Sequence, residues 1–147
     1  MKLTLTATIQ KTAEHCRIFL YHGVKDSANV NKILEGGFDL TKIQSEWISG
    51  YGVSCFSKAE GVRKWFRNPN IPIIQMTFDG NLITPWDAED IIKPRVEKNW
   101  MSNWSPQQYN LALIDNGIDA VWMESPFKGC KEIRVHNLLK IHDLKLL

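Results

Sequence analysis

The stretch Arg17–Phe38, RIFLYHGVKDSANVNKILEGGF, constrains the fold more than any other part of the sequence. Arg17–Tyr21 is an apolar run of the length of a buried strand. It ends in Tyr21-His22-Gly23, an aromatic ring, an imidazole and a residue without a side chain. Asp26 or Ser27 then offers a helix cap. Val30, Ile33 and Leu34 fall at i, i+3 and i+4, so they share one stripe of a helix. Gly36-Gly37 stops that helix in the manner of a left-handed C-cap. A strand therefore leads through a few residues into a short amphipathic helix, with a histidine and a glycine held at the junction.

Further elements follow the same kind of signal. Alternation in Leu3–Ile9 predicts a first strand. Val53–Phe56 is a short strand, and Ser57 with Glu60 forms a capping-box pattern for a helix running to about Phe66. Ile71–Phe78 is a strand, and Asp79-Gly80 reads as a turn after it. Thr84–Asn103 is irregular, with a short helix from Asp87 until Pro94 interrupts. Ser105, Pro106 and Gln108 start another helix, with proline in its favoured first position, and Asn116-Gly117 ends it. Ala120–Met123 is strand-like. KEIRVHN alternates, with Ile133 and Val135 on one side and Glu132, Arg134 and His136 on the other. A last strand falls within Leu138–Leu146. Several strands with interspersed helices predict a single α+β domain over 1–147, mostly antiparallel towards its C-terminal end.

Composition narrows the function classes. Hydrophobic residues make up 44% of 147, enough for a core without covalent staples. The net charge of +2 is too small to argue for nucleic acid by itself. Cys16, Cys55 and Cys130 are odd in number and irregular in spacing, which argues against a disulfide framework and fits a reducing compartment. His15-Cys16 has no matching ligand set, so no metal is expected. The N-terminal MKLTLTATIQKT lacks the apolar core of a signal peptide, and no run approaches the ~20 residues of a membrane span. The expectation is a cytoplasmic monomer with no membrane partner.

Three features carry candidate chemistry, in order: YHG at a strand end, GYGVSCFS before a capped helix, and Glu132 at the start of an alternating strand. LYHGVKDSANVNKILEGGFD, GYGVSCFSKAEGVRKWF and KEIRVHNLLKI together resemble the ADP-ribosyltransferase superfamily, in its diphtheria-toxin and poly(ADP-ribose) polymerase branch. The resemblance covers most of the chain in the correct order. It implies a split antiparallel sheet with flanking helices, and NAD as the substrate. It places His22 on the NAD ribose, Gly23 on the nicotinamide carboxamide and Glu132 on the nicotinamide ribose. The resemblance further implies Ser54 or Cys55 in the place of a middle-strand tyrosine, and Trp65 or Phe66 stacking on nicotinamide. Ser57 and Tyr51 complete the cofactor-binding candidates.

The sequence departs from the family pattern where tyrosine is replaced by Ser54-Cys55 and where Val24 follows His-Gly. Cys130, two residues before Glu132, gives no support to arginine or asparagine as acceptor. The implied activity is mono-ADP-ribosylation of a macromolecule, protein or nucleic acid, with water as a competing acceptor. A toxin-like enzyme, a delivered effector and a regulator are all compatible with that activity. Two alternatives stand beside it: an RNA-end 2′-phosphotransferase-like enzyme, and a non-catalytic module that binds NAD or ADP-ribose.

Each candidate also has a plain packing role. His22 alone would satisfy a backbone partner at a strand end. Glu132 alone would be a solvated strand residue, and Trp65 an ordinary core ring. Trp100 and Trp104, at i, i+4 spacing, are expected packing anchors. Lys58, Arg63, Lys64 and Arg67 would form the solvated face of the second helix, with cofactor phosphates or nucleic acid as the alternative use. The family pattern predicts that His22, the Ser54-Cys55 segment and Glu132 surround one cleft, with Trp65 or Phe66 at its border, and a Glu132 on the opposite face of the sheet from His22 would contradict it.

Overall fold

The computed structural model describes residues 13–39, 52–92 and 106–147. Expectations for Leu3–Ile9, Tyr51, the Trp100–Trp104 pair and Ser105 lie outside these residues. The described residues form an α+β fold with six strands and four α-helices. The strands are β1 (Glu14–Gly23), β2 (Val53–Phe56), β3 (Ile73–Ile83), β4 (Ala120–Glu124), β5 (Lys131–Val135) and β6 (Ile141–Leu146). The helices are α1 (Ala28–Gly36), α2 (Ala59–Phe66), α3 (Pro85–Ile92) and α4 (Pro106–Asp115). A 3₁₀ turn, Leu138–Lys140, precedes β6. No helix among the described residues is long and apolar enough to cross a membrane.

The strands make two antiparallel halves. In one, β5 lies between β2 and β4. In the other, β3 lies between β1 and β6, with β1 paired along its whole length. Two short seams join them. The pairing of β1 with β2 is the single register pair Tyr21↔Phe56. The pairing of β3 with β4 is parallel and covers Leu82↔Ala120 and Ile83↔Val121. The sheet is thus antiparallel apart from this contact, and both joints between its halves are narrow.

Burial follows the pleat. Leu20, Val53, Cys55, Ile74, Met76, Phe78, Ile133 and Val135 face inward and form the main core with Val30 of α1. Ile33 and Leu34 pack against it as the helical spacing predicts. Two satellite cores lie on the outer side. One joins α2 to the sheet through Val62, Phe56, Ile73 and Cys130, and the other joins α3 and α4 through Ile92, Leu113, Ile118 and Val121.

Two local expectations are corrected. Asp79 and Gly80 do not turn the chain: they lie within β3, opposite Arg17 and Cys16. The glycine is required there because a Cβ would lie 2.9 Å from both Asp119 Oδ2 and the Phe78 ring. Close approach, rather than a turn, explains it. The Ser57–Glu60 capping box is absent as well. Lys58 is the residue before α2 and makes no side-chain cap. Ser57 is drawn to β5 instead, where its hydroxyl accepts the Lys131 N–H at 2.8 Å. Glu60 pairs with Arg63 at 3.4 Å.

Gly23 shows most directly how the outer side is packed. A Cβ there would lie 2.6 Å from the Phe66 ring and 2.7 Å from Val62. Gly23→Ala should therefore lower stability by about 1–3 kcal/mol through overpacking. Phe66→Leu should recover part of that loss, because it trims one of the two groups in conflict. Urea unfolding of both single variants and the double variant measures the coupling, and additive effects would contradict the packing described.

Candidate functional site

Strand register sets where each candidate can reach. Ser57 N–H donates to the Lys131 carbonyl at 2.9 Å, so Ser57 and alternate residues back along β2 turn their backbone groups towards β5. Phe56 and Ser54 therefore turn theirs towards β1. Phe56 meets Tyr21 in the one β1–β2 pair. One rung further on, the Ser54 carbonyl accepts a hydrogen bond from His22 Nδ1 at 2.7 Å. The imidazole thus bridges the two halves of the sheet at the point where their register pairing ends.

That bond fixes the chemistry of the ring. A carbonyl oxygen only accepts, so Nδ1 carries the hydrogen. Desolvation lowers the His22 pKa below its usual 6.5, and the bond to Ser54 offsets part of that shift. At neutral pH the ring is uncharged, and its Nε2 lone pair is an acceptor for a hydroxyl or N–H donor. Phe38 meets the ring edge-on, with centroids 5.0 Å apart and planes at 83°. Gly37 makes this possible: its φ of 78° turns the chain after α1, while its N–H donates to Ile33 O at 2.8 Å. The glycine pair and the histidine are thus parts of one corner. Phe38, which the sequence pattern did not single out, forms its aromatic wall.

Glu132 stands directly opposite Phe56 on one side and Met123 on the other. Its side chain is half-buried. Directly opposed residues share a face and successive residues alternate. Tyr21, Phe56, Glu132 and Met123 are consequently one row on the outer side. His22 follows Tyr21 and alternates to the inner side, its ring turned into the seam. With strands about 4.8 Å apart, the backbone of Glu132 lies about 10 Å from that of Tyr21. β2 stands between His22 and Glu132, and their side chains leave the sheet on opposite sides. The expectation of one cleft lined by both is thereby corrected, and this point of the family pattern is contradicted.

The remaining candidates separate in the same way. Cys55 is corrected from a catalytic candidate to a core residue. It is 0% exposed, its thiol bonds to the Val53 carbonyl at 3.7 Å, and burial pushes its pKa strongly up. A thiol held neutral in an apolar core is no nucleophile. Ser54 contributes its carbonyl to His22, and its side chain lies on the Glu132 side, opposite Arg134. Ser57 clamps the start of β5 by exchanging backbone and side-chain bonds with Lys131. Phe66 borders Gly23 and has the Lys25 ammonium 5.8 Å above its ring. Trp65 is 51% exposed and leans on Phe56 at 5.9 Å and 45°.

Arg134 is an addition to the candidates, and the alternation of KEIRVHN already placed it on the Glu132 side. It is buried, and its stem lies across Gly52, where a Cβ would be 2.6 Å from Arg134 Cδ. His136 continues that side and has Asn110 Oδ1 3.1 Å from its Nδ1. Comparison of the chain with protein-family models, with curated proteins and with solved structures finds no match.

The His22 environment has a measurable consequence. The unfolded chain takes up a proton on this imidazole near pH 6.5, whereas the folded one takes it up only at lower pH. Over that window the unfolded state binds more protons, so stability rises with pH. His22→Gln keeps a donor but does not titrate. Compared with the parent protein, it should flatten the stability profile below pH 6.5 and leave the profile above it unchanged. Chemical denaturation at stepped pH, with the histidine ring protons followed by NMR, checks both. A His22 midpoint above 6.5 would contradict the desolvated site.

Proposed function

We propose that the chain binds NAD across the seam between its two half-sheets and transfers ADP-ribose from it to a macromolecule. The observation that carries this is the neutral His22, tied to Ser54 at the end of the β1–β2 pairing. Its Nε2 would accept a ribose hydroxyl, while Phe38 would wall the adjacent ring. Gly23 and Phe66 would border the nicotinamide end, with Lys25 near the same ring. Glu132 would approach the nicotinamide ribose from the outer side. A carboxylate there would hold a hydroxyl and stabilise positive charge as the glycosidic bond breaks. The order of the three motifs and the two-part sheet both support this assignment.

NAD in this arrangement is a substrate. The glycosidic C–N bond breaks with its electron pair leaving on nicotinamide. The ribose carbon then bonds to the acceptor, and the acceptor's proton passes to solvent. With water as acceptor the same steps hydrolyse NAD.

A second function is favoured by one specific observation. The pleat sends His22 and Glu132 to opposite sides, and no tyrosine stands on β2. A module that binds NAD or ADP-ribose without turnover would need only the His22 side of the seam.

Calorimetry with NAD, paired with a nicotinamide-release assay, separates these outcomes. The transferase binds NAD and releases nicotinamide. Glu132→Gln should then change affinity little and lower release about 10²-fold or more, the scale of losing one transition-state contact. Binding without release from the parent protein would establish the module. Release that is equal in the parent and in Glu132→Gln would remove Glu132 from catalysis. No NAD binding by the parent would overturn both functions.

A further inference from the structure

The outer side of the seam carries a feature that NAD binding does not need. Trp65 is half-exposed although its ring leans on Phe56, the residue opposite Glu132. A large aromatic ring is therefore anchored against Phe56 and half open to solvent, beside the strand next to the one that carries the carboxylate. Met123, 41% exposed, flanks Glu132 on its other side.

Charge surrounds this platform unevenly. Lys58, Lys64 and Arg67 are exposed along and just beyond α2, and Lys128 is exposed on the turn before β5. The one acid of α2, Glu60, is paired with Arg63. Lys58 Nζ would lie only 3.3 Å from a Cβ on Gly129, so its ammonium rests against the turn that carries Lys128. No carboxylate among the described residues is ion-paired to either lysine. Two cationic residues thus stand at the turn before β5, one strand-and-helix layer from an exposed aromatic ring, a local excess of positive charge that an anion would relieve.

Lys58 is the extended residue just before α2 and Trp65 stands near the end of that helix, so the two mark opposite ends of one short element. Gly61, between them, faces Phe56 and Cys130. A flat apolar face with cations about 10 Å away along the helix matches a nucleotide unit, a base to stack and a phosphate to neutralise.

Resting on the transferase function, we propose that the acceptor is a single-stranded nucleic acid. One base stacks on Trp65 and the adjoining phosphates meet Lys58 and Lys128. A ring or amino nitrogen of the next base would then face the Glu132 side of the seam. In the transfer, that nitrogen forms the bond to the ribose carbon, nicotinamide leaves with the electron pair, and the nitrogen's proton goes to the Glu132 carboxylate and then to water. A duplex would not fit, because its bases present no open face to the ring.

Fluorescence anisotropy with a labelled mixed-sequence 12-mer, as single strand and as duplex, tests the proposal on the full chain without NAD. The single strand should bind more tightly than the duplex. Trp65→Ala should weaken it about five- to a hundredfold, and Trp65→Phe should keep most of the affinity. The double variant Lys58→Gln, Lys128→Gln should lower the slope of log affinity against log salt by about 1.4 for two phosphate contacts. Circular dichroism confirms that each variant is folded. Equal binding of duplex and single strand, or affinity unchanged in folded Trp65→Ala, would overturn the proposal. So would nicotinamide release that a protein substrate stimulates and the oligonucleotide does not. Oligonucleotide binding without any NAD binding would leave the nucleic-acid surface standing and remove the transferase. NAD turnover without oligonucleotide binding would do the reverse.

Discussion

The bond from His22 to the Ser54 carbonyl is the constraint on which the site depends. It sits where the register pairing of β1 and β2 ends, and it takes a carbonyl that the ladder leaves facing β1. A part-buried carbonyl without a partner is destabilising, so the imidazole stabilises the sheet where the β1–β2 pairing stops. The same bond selects the tautomer and leaves Nε2 as an acceptor. One contact therefore fixes both the shape of the seam and the hydrogen-bonding character of its lining.

Packing on either side keeps that seam in place. On the outer side, α2 reaches the sheet only because Gly23 and Gly61 lack side chains. Phe66 and Val62 fill the first gap, while Cys130 and Phe56 border the second. On the inner side, α1 and the Gly37 turn bring Phe38 against the His22 ring. Glycine thus serves three times in the YHG…GGF…EGV framework, once for a positive φ and twice for close approach. Glycine at position 23 is explained by the helix packed against it, whether or not a ligand also approaches its backbone.

The strand and helix pattern was largely legible, because hydrophobic period and caps are local signals. β2, α2, β4 and β5 begin and end close to where their patterns place them. The errors arose where tertiary contact overrode local chemistry. Asp79-Gly80 carries a strong turn signal, yet β1 holds it in the ladder as far as Leu82. Ser57 has the spacing of a cap, yet Lys131 offers its hydroxyl a better-placed donor across the sheet. Cys55 stood beside Ser54 as a candidate, and only the pairing Cys55↔Ile133 shows that it faces the core. The corner of His22, Gly37 and Phe38 was visible as residues but not as contacts, since nothing local says which ring meets the imidazole.

The relation between His22 and Glu132 shows what a linear motif leaves out. Each sits where its motif expects it, at the end of β1 and the start of β5. Whether they share a face depends on the parity of the rungs between them, and parity is decided by Tyr21↔Phe56↔Glu132. A shift of one residue in either pairing would send Glu132 to the inner side. In a flat, continuous sheet the present parity would keep the two side chains apart. Here the halves meet at one pair between β1 and β2 and at two between β3 and β4, so the imidazole lies in the first seam while the carboxylate stands on β5, one strand beyond it. The narrowness of the β1–β2 joint thus leaves His22 to close the seam from the inner side while Glu132 keeps to the outer one.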